Sequence, residues 1–275
     1  MDTHVPGLSP HHQAVVERFV AACRADARVV AAFLRGSYVT GTADAWSDLD
    51  LGLVTTDAAY EEFVAGRAAF LRQLGEPLFL EDFDIPNFVF FVLADGAEGE
   101  LALGREGDFA HTHAGPHRVL LDKTGVLAGA AFPWRAPAPA EQVERLRRLV
   151  HWFWHDLSHF ITALARGDLW WAYGQLEVLR RVCGNLARLT HNFSDPDVGE
   201  EVYFKVGHAL PPAYLAPLEA TCCPLERGAL LQAARAILRR YQELARPLAQ
   251  AHGIPYPAEL ERLTCERLER ASAGG

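Results

Sequence analysis

The chain has 275 residues, half of them hydrophobic, and a formal net charge of −9. That is enough apolar material for one large or two ordinary cores, and it excludes a wholly disordered chain. The acidic balance excludes a protein that coats duplex nucleic acid, because neutralising phosphates takes clustered Lys and Arg; it suits small neutral or cationic partners instead. Five cysteines, an odd number with Cys222 and Cys223 adjacent, do not form a disulfide framework, and their spacing makes no zinc motif. The opening MDTHVPGLSPHH has no basic or apolar leader pattern, and no apolar run reaches the roughly 18 residues of a membrane span. A cytoplasmic protein with reduced thiols, making no membrane contact, is the expectation.

Val15, Val16, Phe19, Val20 and Cys23 recur at helical spacing after Pro10, which predicts an amphipathic helix over 11–27. The apolar run Val29 to Leu34 reads as a buried strand that breaks at Gly36-Ser37, a tight turn whose backbone N–H groups and hydroxyl suit a phosphate. Asp48 and Asp50 then alternate with Leu49 and Leu51 at the start of a second apolar run to Val54. Period two places both carboxylates on one face and the leucines on the other. Neighbouring carboxylates repel unless a cation lies between them, and Mg²⁺ takes such hard oxygen ligands together with substrate phosphates. Singly, Gly-Ser is ordinary loop chemistry and Ser-Asp-Leu-Asp an ordinary turn or cap; their conjunction is what carries information. Over residues 29–54 the chain resembles the nucleotidyltransferase superfamily, the DNA polymerase beta-like fold shared by antibiotic adenylyltransferases. Its signature is Gly-Ser after a strand and Asp-x-Asp on the next strand about ten residues later.

Asp57 is expected to cap a helix running to about Leu74, ended by Gly75-Glu76-Pro77. Strand patterns follow at Leu78–Leu80, Phe88–Leu93, Glu100–Leu103 and Val119–Leu121, with a hairpin around Asp95-Gly96. The resemblance implies a third carboxylate on a strand beside Asp-x-Asp. Glu100 is the best-placed acid, with Asp95 and Asp84 as alternatives, so the implied Mg²⁺ ligands are Asp48, Asp50 and Glu100. His111, His113 and His117 fall in one loop, where a polar rim or substrate loop is the preferred reading over zinc. Lys123, one of only two lysines, is a candidate triphosphate contact beside Gly36 and Ser37.

Pro133 to Ala140 is the clearest break in composition and sets the expected division: a nucleotidyltransferase domain at 1–133, a Pro/Ala linker at 134–140 and a helical bundle at 141–275. In the bundle, apolar stripes predict a long helix to Leu164, a second from Asp168 to about Leu189, and two more over 224–251 and 257–271. The expected class is therefore α+β, a mixed-sheet N-terminal palm followed by an all-α bundle.

In adenylyltransferases of the resembled kind a helical C-terminal domain supplies acidic residues for the acceptor. That implies Glu177 as general base, with Asp156 and His155 as alternates; the plain structural reading of Glu177 is an i,i+4 pair with Arg181. Trp152, Trp154, Trp170 and Trp171 are either stacking surfaces or core. The implied reaction moves AMP from ATP, with Mg²⁺, to a hydroxyl of a small, aminoglycoside-like acceptor, and a homodimer is compatible with it. Two alternatives stand beside it: an antitoxin-like nucleotidyltransferase that modifies a protein, or a HEPN-like ribonuclease or binding module with an inactive N-terminal site. The last rests on Arg145 and His151, six residues apart.

Overall fold

Period-two alternation builds a six-stranded mixed sheet. The computed structural model describes residues 4–133, 136–199 and 202–273, and the chain divides into two units, residues 1–135 and 136–275. The first unit runs α1 (Pro10–Ala25), β1 (Val29–Leu34), α2 (Ser37–Thr40), β2 (Leu49–Thr55), α3 (Tyr60–Leu71), β3 (Pro77–Glu81), β4 (Phe88–Leu93), β5 (Glu98–Arg105) and β6 (Arg118–Asp122). The strand order is β3-β4-β5-β2-β1-β6. β2 and β5 pair in parallel, and the other neighbours are antiparallel. A parallel pair needs a long crossover, here supplied by α3, β3 and β4.

The alternation separates the sheet's two faces. Ala32, Leu34, Leu49, Leu51, Leu53, Leu101 and Leu103 pack with Phe19 and Cys23 of α1 and with Phe63, Phe70 and Leu71 from α3. The opposite face carries Ala31, Phe33 and Val54 beneath Phe132 and Leu127. On that second face Gly52 is obligatory, since a Cβ there would overlap the Phe33 ring. Asp57 does not cap α3: its carboxylate accepts from Gly107 N at 2.8 Å, and the helix is entered through a 3₁₀ turn at Asp57–Ala59. Its side chain is drawn across to the segment after β5.

The second unit contains α4 (Pro139–Ala165), α5 (Leu169–His191), α6 (Val206–Ala209), α7 (Pro212–Glu219), α8 (Arg227–Ala251) and α9 (Ala258–Ala273). α4 begins at Pro139, so the last two residues of the expected linker are helical, Pro being at home in a first turn; Trp134 and Arg135 of that linker lie outside the described residues. Asp168 caps α5 by accepting from Trp171 N at 3.0 Å. The stripes of α4, α5 and α8 share one core, in which Phe153 and Tyr241 stack with ring centroids 3.7 Å apart and Tyr241 Oη donates to Val150 O at 2.6 Å. α6 and α7 fill what the sequence leaves as irregular chain. Among the described residues no helix is long and apolar enough to cross a membrane.

Candidate active site

The N-terminal motif is assembled by strand pairing. Arg35 N donates to Asp50 O at 2.9 Å, so the β1–β2 ladder continues past Leu34 and brings the Gly36 turn beside Asp50. Gly36 has φ +69°, which a side chain rarely adopts. A Cβ at Gly36 would overlap Oδ2 of Asp50, so glycine is required twice over: for the backbone turn and for the carboxylate lying on it. Ser37 opens the one-turn α2, and its Oγ is buried with no partner.

Asp50 and Glu100 are direct partners in the parallel β2–β5 register, hence on the same face. Between them lies Arg35, with Nη2 3.1 Å from Glu100 Oε2 and 3.9 Å from Asp50 Oδ1. The Arg35 side chain is only 14% exposed, and its Nε is buried without a partner. Of the alternatives to Glu100, Asp95 sits at the tip of the β4–β5 hairpin, accepting from Arg18 Nη2 at 3.0 Å and Ala97 N at 3.2 Å. Asp84 lies in the β3–β4 connection at φ +59°. Glu100 alone of the three stands in register with Asp50.

Asp48 immediately precedes β2, and its charge acts on His12 of α1 and on Tyr38. His12 Nδ1 and Tyr38 Oη are 2.7 Å apart. Burial, then neighbouring His11, holds the His12 imidazole below its ordinary pKa, against smaller opposing pulls from Asp48 and Asp95. Burial, then the Asp48 and Asp44 carboxylates, pushes the Tyr38 hydroxyl up. The segment leading into Asp48 is locked by its own polar groups: Trp46 N donates to Asp44 Oδ1 at 2.9 Å and Asp44 N to Ser47 Oγ at 2.9 Å, leaving the Trp46 ring almost fully exposed.

Other nominated residues lie elsewhere. Lys123 Nζ donates to Asp26 O and its N–H to Val30 O, both at 2.8 Å. These partners precede or open β1, whereas Gly36 follows its other end, so the structure does not bring Lys123 to the motif. His113 and His117 pack around Phe132, with centroids 5.3 and 4.8 Å from its ring. His111 pairs instead with Asp108. Two of the loop's three imidazoles therefore cover an aromatic cluster. Glu177, in the second unit, pairs with Arg180, whose buried guanidinium is anchored by Thr221 Oγ1 and O at 2.8 and 3.0 Å. Asp156 accepts from or is paired with His155 Nδ1 at 2.9 Å. Trp154 is core, while Trp152 and Trp170 are exposed. Arg145 binds Glu141 and the Val198 carbonyl, ordinary helix and loop contacts.

Among the described residues no group of three or more His, Cys, Asp or Glu side chains is gathered to hold a metal ion. The donor set nevertheless suits Mg²⁺, which commonly takes one or two carboxylates and completes its shell with substrate phosphates and water. Asp50 is one such carboxylate, next to a turn that presents an unpartnered hydroxyl, and Asp48 precedes it by two residues. Sequence reasoning missed Arg35, His12 and Tyr38. The signal for Arg35 was available, since two-residue alternation from Phe33 puts it on the face of Asp50.

The sequence pattern of the family described as streptomycin adenylyltransferase matches residues 11–270. The chain belongs to that family. It is accordingly an adenylyltransferase. Similar solved structures include an aminoglycoside 6-adenyltransferase from Bacillus subtilis, at TM-score 0.40 and 16% identity over 96% of this chain and 99% of that one. A nucleotidyltransferase-like protein from Exiguobacterium sibiricum 255-15 aligns at TM-score 0.34 and 13% identity over 84% of this chain and 74% of that one. A search among curated proteins finds no match.

Proposed function

We propose that the chain transfers AMP from ATP to a hydroxyl of a small, cationic, streptomycin-like acceptor, and that Asp48 and Asp50 hold Mg²⁺ with the triphosphate while Glu100 serves as the third carboxylate. The observation that carries this reading is the contact between the two halves of the motif, the Asp50 carboxylate lying on the Gly36 turn. Family membership supplies the reaction class, and the net charge of −9 suits a cationic acceptor.

Nucleotidyl transfer asks a protein mainly for positioning and charge stabilisation. Gly36 permits close approach of the phosphates, and Ser37 Oγ, buried without a partner, gains an acceptor when a phosphate oxygen arrives. A bound Mg²⁺ would supply neutralisation of the charge developing on the α-phosphate and the leaving pyrophosphate. The base for the attacking hydroxyl rests on the sequence pattern of α5, which nominates Glu177; its carboxylate would have to be shared with Arg180.

Purified protein incubated with Mg²⁺, ATP and streptomycin or related aminoglycosides should release pyrophosphate and yield an adenylylated acceptor, and Asp48→Ala with Asp50→Ala should end both. Turnover by the folded double variant at the parent rate would refute the carboxylate assignment. Glu177→Gln should lower kcat with KM for ATP unchanged, and an unaltered kcat would remove it from the reaction.

A further inference from the structure

Arg35 sits where a cation between Asp50 and Glu100 would sit. One nitrogen, Nη2, reaches both carboxylates, at 3.9 and 3.1 Å. A guanidinium tethered in this way can give up the place only by moving. It is also poorly held. Its Nε is buried with no acceptor, and so is Ser37 Oγ two residues on, across Gly36. Two orphaned donors flanking one turn, beside carboxylates that they cannot both satisfy, ask for an anion with several acceptor oxygens.

From this geometry, and resting on the reading of Asp48 and Asp50 given above, we infer that Arg35 is a positioning residue that acts as the resident counter-cation of the carboxylates. It offsets part of the charge of Asp50 and Glu100 until a triphosphate arrives, then transfers its guanidinium to the phosphates. Metal binding is thereby made conditional on nucleotide. A free divalent cation must compete with a covalently tethered positive charge for the same oxygens, and the repulsion between them weakens its binding. The triphosphate relieves that competition by offering Arg35 and Ser37 the acceptors they lack, and the coupling is reciprocal, nucleotide and metal each strengthening the other.

The test is Mn²⁺ binding, followed by electron paramagnetic resonance, to the full chain with and without α,β-methylene-ATP. Wild type should bind Mn²⁺ weakly alone and at least tenfold more tightly with the analogue. Arg35→Gln should bind Mn²⁺ alone at least tenfold more tightly than wild type, with a correspondingly smaller gain from the analogue; Arg35→Lys, which keeps the charge, should resemble wild type. A folded Arg35→Gln whose nucleotide-free Mn²⁺ affinity equals the parent's overturns the inference while leaving the carboxylate site standing. Absence of Mn²⁺ binding to wild type even with the analogue removes the carboxylate reading, and the inference with it. Should Arg35→Gln fail to fold, the Nε–H resonance of Arg35 in wild type, assigned by its loss in Arg35→Lys, serves instead. It should move when Mg²⁺ and the analogue are added together and stay in place with Mg²⁺ alone; movement with Mg²⁺ alone overturns the inference.

Discussion

Two arginines, one in each unit, face pairs of carboxylates in opposite ways. Arg188 of α5 is completely buried, with Nε donating to Val202 O at 3.2 Å, Nη1 to Asp195 Oδ2 at 3.1 Å and Nη2 to Phe204 O at 2.9 Å. Every nitrogen has a partner, and the partners are mostly main-chain carbonyls of one following segment. Arg35 is nearly as enclosed, yet one nitrogen serves two carboxylates and another serves nothing. A buried charge with its donors satisfied clips a loop to a helix. A buried charge left partly unsatisfied costs stability, and folds keep such groups where a ligand completes them.

The sharpest way to separate the two regions is to remove a charge from each. Asp50→Ala should lower adenylyl transfer by roughly 10³-fold, the scale of losing a preorganised electrostatic contact to the reacting phosphates, with little change in Tm. Arg188→Ala should do the reverse. It strands the Asp195 carboxylate and two carbonyls and should cost about 3–5 kcal/mol of unfolding free energy in urea titration. Equal stability losses in both variants, or a stable Arg188→Ala, would erase the distinction drawn here.

How much of this was legible in the sequence follows the same division. Strand alternation fixed the two faces of the sheet, and Glu100 in register with Asp50 matches the best-placed acid of the hairpin. What alternation cannot show is which end of a strand a residue joins. Lys123 follows β6, and because β6 runs antiparallel to β1 it ends beside Val30, at the far end from Gly36. Helical stripes located α4, α5, α8 and α9, but α6 and α7 are short segments held by tertiary contacts, below the length at which periodicity shows. Arg180 and Arg181 follow Glu177 by three and four residues, both within reach of it along a helix. Arg180 is buried and Arg181 half-buried, and burial of adjacent like residues is not written in their types.

A smaller effect tests the contact on which the site reading depends. Gly36→Ala should slow adenylyl transfer by about 10²-fold, the penalty expected of a displacement near 1 Å at the reacting centre, because the new methyl and the positive φ both push the turn off Asp50. Its cost to stability should be only about 1–2 kcal/mol, read as a modest fall in Tm. Retention of full activity by Gly36→Ala would mean that the turn and the carboxylate need not touch.

The smallest effect concerns the two imidazoles packed on Phe132. Burial holds both His113 and His117 below their ordinary pKa, and the Arg35 charge adds to the depression of His113. An imidazole with a lower pKa folded than unfolded binds more protons when the chain is unfolded, so acid favours unfolding. The stability they contribute is complete above the unfolded value near 6.5 and is lost as pH falls through the folded values. Tm should therefore decline on acidification from about pH 7. His117→Phe, which keeps a ring against Phe33 and Phe132, should flatten the decline while leaving Tm at pH 8 nearly unchanged. A decline as steep in His117→Phe as in the parent would assign the acid sensitivity to other groups.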